Sequence, residues 1–203
     1  MTAIFDMDGT LIDSSKILSN SVNYVRNYLG LEPLRSDFIL EEINNPNANL
    51  AKIFYEKDEI TPELYAKFRE YYDANHQKEL TVFDGIKELL EDLKDSGVKL
   101  AVATNAYRAT TLATLEHSKL NHLFDEVVSF EDVGSPKPDP KMLHFITQKL
   151  ESKKPIFIGD SKNDYLSAQN AKIPFFYVDF INKSKEIRSV ADLDKKLKSF
   201  FLV

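Results

Sequence analysis

Two carboxylates stand two residues apart in Asp6-Met7-Asp8-Gly9-Thr10, directly after the short apolar run Ala3–Phe5. Three further segments carry side chains of related chemistry. Thr104 and Asn105 end the apolar stretch Lys99–Ala103, and Lys137 sits in Gly134-Ser135-Pro136-Lys137-Pro138-Asp139-Pro140. Asp160 and Asp164 follow the apolar stretch Pro155–Ile158 in Gly159-Asp160-Ser161-Lys162-Asn163-Asp164. Carboxylates, a hydroxyl and a lysine form the inventory for a hard cation plus a phosphoryl group. Mg²⁺ is usually held by one or two carboxylates with waters and substrate oxygens. Asp6, Asp8 and Asp160 can gather in one place only if a cation offsets their repulsion. Thr104 and the amides after it suit a phosphate oxygen. A lysine framed by prolines leaves from a stiff backbone, and phosphoryl transfer is catalysed mostly by positioning and charge stabilisation. If a helix begins at Asp160, Asp164 falls on the same face four residues on, where it can orient a metal-bound water or the loop lysine.

These residues need a frame that gathers them, and the apolar pattern supplies one. From Leu80 onward helix and strand alternate. Asp84 and Gly85 open a helix with Ile86, Leu89, Leu90 and Leu93 on one face, and Gly97 stops it. Lys99–Ala103 reads as a strand covered on both faces. Residues 107–117 read as helix, Glu126–Ser129 as strand, Lys141–Leu150 as helix and Pro155–Ile158 as strand. Asp164–Ala171 then reads as helix, Phe175–Val178 as strand, and a last helix carries Leu193, Leu197 and Phe200. This repetition predicts an α/β fold with a Rossmann-like, doubly wound parallel sheet. Ligands in such sheets bind outside the carboxyl ends of the strands, where all four segments fall.

Residues 15–80 have a different pattern. Val22, Val25 and Leu29 repeat at helical spacing, Leu50–Glu56 reads as helix, and Thr61 and Pro62 open a helix running to Gln77. Asn44-Asn45-Pro46-Asn47 reads as a loop. The expected organisation is an α/β core from residues 1–14 and 81–203, with an inserted α-helical cap from 15–80. Hinges near Asp13–Ser15 and Thr81–Phe83 would let the cap close and exclude water.

Composition narrows the class. The formal charge of −6 and pI near 5.3 leave no electrostatic footprint for nucleic acid or an anionic membrane. The chain has no cysteine, which rules out disulfides, thiol nucleophiles and thiolate metal sites. It has no apolar stretch near the ~20 residues that span a bilayer and no recognisable signal peptide, so a cytoplasmic protein is expected. His76, His117, His122 and His144 show no paired ligand spacing and are read as locally bonded. Tyr55, Tyr65, Tyr71 and Tyr72 are read as packing residues of the insert. Nothing in the pattern encodes an oligomeric state.

The segment Asp6-Met7-Asp8-Gly9-Thr10 is similar to the DxDGT signature of the haloacid-dehalogenase-like superfamily of hydrolases. Thr104, Lys137 and the Gly159–Asp164 segment resemble its remaining motifs in the same chain order. The insert resembles the helical cap of the subgroup that includes phosphoglycolate phosphatases. The resemblance implies an Mg²⁺-dependent phosphatase acting on a small phosphorylated metabolite through an aspartyl-phosphate on Asp6. Asp8 would be general acid and base, and Asp6, the Asp8 backbone carbonyl and Asp160 would bind the metal. Thr104, Asn105 and Lys137 would hold phosphoryl oxygens, with Asp164 behind them. An aspartate at position 8 favours an ester, whose alkoxide leaves with a proton, over a carbon–halogen bond. Other readings of the same scaffold are a sugar phosphomutase and a phosphate-ester-binding protein without turnover. Lys172 departs from the family pattern, standing where relatives often have glycine at a helix end.

Overall fold

The computed structural model describes residues 1–201 except Pro46, so the Pro46 position of the expected Asn44–Asn47 loop lies outside the described residues. In chain order, β1 (Thr2–Phe5) and β2 (Ile12–Asp13) lead into four helices: α1 (Ser15–Tyr28), α2 (Ser36–Ile43), α3 (Leu50–Tyr55) and α4 (Pro62–Glu79). Then come β3 (Thr81–Val82), α5 (Ile86–Asp95), β4 (Lys99–Thr104), α6 (Arg108–His117) and a 3₁₀ turn at Asn121–Leu123. The chain continues through β5 (Glu126–Ser129), α7 (Phe130–Val133), α8 (Lys141–Lys149) and β6 (Pro155–Gly159). It ends with α9 (Lys162–Ala171), β7 (Phe175–Tyr177) and α10 (Val190–Phe201). Internal contacts divide it into two compact units, Met1–Asp13 with Thr81–Val203, and Ser14–Leu80.

In the larger unit five strands pair in parallel in the order β5-β4-β1-β6-β7. The chain runs outward from β1 to one edge through β4 and β5, then returns and fills the other side through β6 and β7. The direction of winding therefore reverses at β1, where such sheets open a crevice for ligands. The strands are apolar on both faces, as burial on both sides requires: Ala3, Ile4 and Phe5, Leu100 to Ala103, and Ile156 to Ile158 are all fully buried. Met142, Leu143 and Ile146 of α8 and Ala168 of α9 close one face over Ile4, Ala101 and Phe157. Elsewhere in this unit, α5 buries Ile86, Leu89, Leu90 and Leu93.

The smaller unit packs Val22 and Val25 of α1 against Ile39, Phe54, Tyr55 and Leu64. Thr61 caps α4 by accepting from the Leu64 amide, with Pro62 in the first turn, as the sequence predicts. Arg26 is buried there and donates to the backbone carbonyls of Glu32 and Phe54, tying two chain segments to α1.

Four details differ from the sequence-based expectation. Helix α2 has eight residues and buries Ile39, too short for a helical period to stand out in the sequence. Helix α7 forms on a Ser129–Asp132 capping box just beyond β5. Ile12–Asp13 and Thr81–Val82, expected near hinges, pair as short antiparallel strands in the register Ile12↔Val82 and Asp13↔Thr81. Finally, α9 begins at Lys162, two residues before the expected Asp164, with Ser161 as its N-cap, so Asp160 lies outside the helix. At its other end Lys172 adopts the left-handed conformation at φ +58°, so the helix still stops at Ala171 without glycine.

Candidate active site

Asp6 is the first residue beyond β1, at the reversal point of the sheet, and its amide donates to the Ile158 carbonyl at 2.8 Å. The chain then turns sharply: the Leu11 and Ile12 amides both donate to the Met7 carbonyl, at 2.9 and 3.0 Å, while Gly9 N–H donates to Ile12. Met7, Leu11 and Ile12 anchor the turn in the core, which leaves Asp6 facing the crevice and Asp8 half-buried. Gly9 is required by both backbone and space. Its φ is +80°, and a Cβ at this position would lie 2.2 Å from Asp160 Oδ2.

The structure brings the remaining sequence-identified residues to the same end of the sheet. The Lys137 ammonium reaches Asp6 Oδ1 at 2.5 Å, Asp164 Oδ1 at 2.6 Å and the Ala103 carbonyl at 2.9 Å. The contacts to Asp6 and Ala103 are hydrogen bonds and the one to Asp164 is an ion pair, and the lysine is only 5% exposed. Asp164 is fully buried and belongs to a capping box. Ser161 Oγ accepts from the Asp164 amide, while the Asp164 carboxylate accepts from the Ser161 amide and hydroxyl at 3.0 and 2.6 Å. The same carboxylate thus fixes a helix start and a lysine. Asp160 stands just before that cap and accepts from Thr10 Oγ1 at 3.2 Å. Gly159 keeps room for Asp164, whose Cβ would be 2.6 Å from an added Cβ.

Thr104 is buried at the end of β4, and its hydroxyl accepts from the Ala106 amide at 3.0 Å. The Asn105 side chain turns to the lysine loop. It accepts from the Lys137 amide at 2.7 Å and donates to the Lys137 carbonyl at 3.1 Å. From the opposite side α9 holds the same loop: Asn170 donates to the Pro138 carbonyl at 3.0 Å and Ser167 to the Asp139 carbonyl at 3.2 Å. The prolines alone do not account for the stiffness of this loop, and the sequence pattern, which holds Thr10 and Ser161 within its motifs, assigns no role to Thr10, Ser161, Ser167 or Asn170. Ser161 carries a local signal for its bond, the Ser-x-x-Asp spacing of a capping box.

Charge explains what the cluster is built for. Carboxylate oxygens of Asp6, Asp160 and Asp164 come within 4.8 Å of one another. Burial, together with the Asp164 charge, pushes the Asp6 carboxyl up to about 7 although Lys137 pulls it down. Burial and the charges of Asp6 and Asp164 likewise hold Asp160 well above the usual carboxylate range. Burial works against the Lys137 ammonium, but Asp164 and Asp6 outweigh it and raise its pKa above that of a free lysine. One lysine cannot neutralise three such carboxylates. The all-oxygen donor set fits a hard divalent cation, whose charge would favour the ionised form of each carboxylate.

The family model for haloacid dehalogenase-like hydrolases matches residues 3–178. The chain belongs to that family. Pyrophosphatase PpaX of Halalkalibacterium halodurans is 31% identical over 202 residues, covering 98% of this chain and 92% of the relative. A phosphoglycolate phosphatase of Agrobacterium fabrum is 31% identical over 186 residues, covering 88% of this chain and 80% of the relative. The crystal structure of a predicted phosphatase from Clostridium acetobutylicum superposes with a TM-score of 0.82 at 27% identity, covering 98% of each chain. This haloacid dehalogenase-like hydrolase is therefore an enzyme of the α/β class. Among its described residues no helix is long and apolar enough to cross a membrane.

Proposed function

We propose that this family phosphatase hydrolyses a small phosphate monoester in two steps, with Asp6 as nucleophile and Mg²⁺ as cofactor. The observation that carries the reading is Asp6 itself. It lies at the reversal point of the sheet, 2.5 Å from the Lys137 ammonium and beside Asp160. In the first step an Asp6 carboxylate oxygen attacks phosphorus and the ester oxygen leaves with a proton from Asp8. In the second, Asp8 takes a proton from the water that attacks phosphorus, and the P–O bond to Asp6 breaks to release inorganic phosphate. Lys137, with Thr104, holds phosphoryl oxygens through both steps, and Asp164 keeps the lysine charged and aimed. A bound Mg²⁺, held by Asp6, Asp160 and the Asp8 carbonyl, would offset the charge of the carboxylates and of the phosphoryl oxygens.

We assign the helical unit the role of cap, selecting the part of the substrate beyond the phosphoryl group. The named activities of the relatives, on pyrophosphate and phosphoglycolate, make small, compact anions the first candidates. The test is steady-state hydrolysis of an aryl phosphate by wild type and Asp6→Asn, with Mg²⁺ and with chelator. Turnover should require both Mg²⁺ and Asp6. Wild-type turnover by Asp6→Asn would remove the nucleophile from the account.

A further inference from the structure

We infer that Asn105 is a positioning residue, which acts on the reaction through Lys137 and does not ligate the phosphoryl group. The inference rests on the phosphatase reading of the site and makes one member of it more specific. Residue type alone suits Asn105 to either task, since an amide donates and accepts. The structure assigns both functions of that amide to one partner. Oδ1 accepts from the Lys137 N–H at 2.7 Å, and Nδ2 donates to the Lys137 carbonyl at 3.1 Å, across 32 residues of chain. The two bonds engage the peptide groups on either side of one Cα, as a neighbouring strand would, so they fix both position and rotation of the lysine backbone.

The other attachments of the loop leave this task to Asn105. Asn170 and Ser167 of α9 hold the carbonyls of Pro138 and Asp139, which follow the lysine. Neither engages the Lys137 peptide groups themselves. The Lys137 side chain must then thread a buried path to the carboxylates of Asp6 and Asp164 and the Ala103 carbonyl. A lysine has four rotatable bonds, and its ammonium is set against Asp6 only if the stem starts from the correct point. Asn105 fixes that point. It follows Thr104 immediately, so one turn at the end of β4 both presents the buried hydroxyl and registers the lysine.

The chemical demand on the clamp is specific. Aspartate would keep an acceptor for the Lys137 amide but place an oxygen against the Lys137 carbonyl; glutamine would overreach by one methylene. Losing the clamp frees the lysine backbone by a fraction of an ångström to about an ångström, a displacement that can lower a rate by about 10²-fold.

The test is a double-mutant cycle on aryl phosphate hydrolysis with wild type, Asn105→Ala, Lys137→Met and the double variant, all checked for folding by circular dichroism. Alone, Asn105→Ala should lower kcat by about 10- to 100-fold and leave KM within about threefold, because the ground state still finds a cation but the transition state finds it displaced. In the Lys137→Met background the same change should have less than about a threefold effect. An equal loss in both backgrounds would overturn the inference and show a general packing role. A rise in KM as the main effect would overturn it in favour of a direct phosphate ligand. If Lys137→Met does not fold, the kcat–KM split of folded Asn105→Ala decides alone. Failure of the phosphatase reading is distinguishable, because wild type would then lack turnover dependent on Asp6 and Mg²⁺.

Discussion

Removing the charge of the nucleophile should stabilise the metal-free protein while abolishing turnover. Ionising Asp6 in the folded site is opposed by burial and by Asp164, so its carboxyl rises from 3.8 to about 7. At about 1.4 kcal/mol for each pH unit, the penalty carried by the folded state above pH 7 is about 4 kcal/mol. Asparagine mimics the protonated acid and still offers Oδ1 to Lys137, but its added N–H needs a partner, at a cost of about 1–2 kcal/mol. A net gain of about 2–3 kcal/mol remains, which for a chain of this size is about 4–12 °C in Tm. The sign follows from which state protonates first. As pH rises, the unfolded chain ionises near 3.8 while the folded site keeps its proton to about 7, so wild-type stability falls through that window and levels off above it. The advantage of Asp6→Asn should therefore be absent below pH ~4, grow to pH ~7 and then stay constant. Thermal unfolding in chelator from pH 4 to pH 8 measures it. A variant no more stable than wild type at pH 8, or a gain independent of pH, would refute the electrostatic reasoning.

Three further outcomes follow from the same geometry. Mg²⁺ should stabilise wild type most at pH 8 and least at pH 5, where protons compete for the carboxylates, the gain reaching about 2.7 kcal/mol at a hundredfold excess over Kd; titration monitored by Tm checks it. Lys137→Met should destabilise the metal-free protein by about 3–5 kcal/mol at pH 7.5, since it leaves Asp6 and Asp164 facing each other without a cation, and denaturant unfolding measures the loss. Gly9→Ala should lower aryl phosphate turnover by at least about 10²-fold, because the added methyl displaces the Asp160 carboxylate by force of contact.

Much of this architecture is legible in the chain because its signals are local. Continuous apolar stretches such as Lys99–Ala103 and Pro155–Ile158 identify buried parallel strands, and the residue after each strand reaches the crevice whatever the rest of the fold does. Tertiary bonds are the part that is not legible. Asn105 and Lys137 are 32 residues apart, and nothing in either segment says that an amide will hold a peptide group rather than a phosphoryl oxygen. Asp160 and Asp164 show a subtler failure. A helix starting at Asp160 would put both on one face, but Ser161 competes for the backbone and starts the helix after Asp160. Asp164 consequently points back to Ser161 at the start of its own helix and meets Lys137, while Asp160 meets Thr10. The short pairing of β2 with β3 escaped for a different reason, since two-residue strands have no period to detect.

The central claim is that Asp6 carries the phosphoryl group, and the direct measurement is to look for it there. Enzyme mixed with Mg²⁺ and a rapidly turned-over phosphate ester is quenched in acid within the first turnover, and the modified peptide is located by mass spectrometry. The account predicts phosphoryl on the segment bearing Asp6, absent from Asp6→Asn and accumulating in Asp8→Asn when the leaving group is a good one. Phosphoryl on any other residue, or full turnover with none trapped on Asp6, would contradict it.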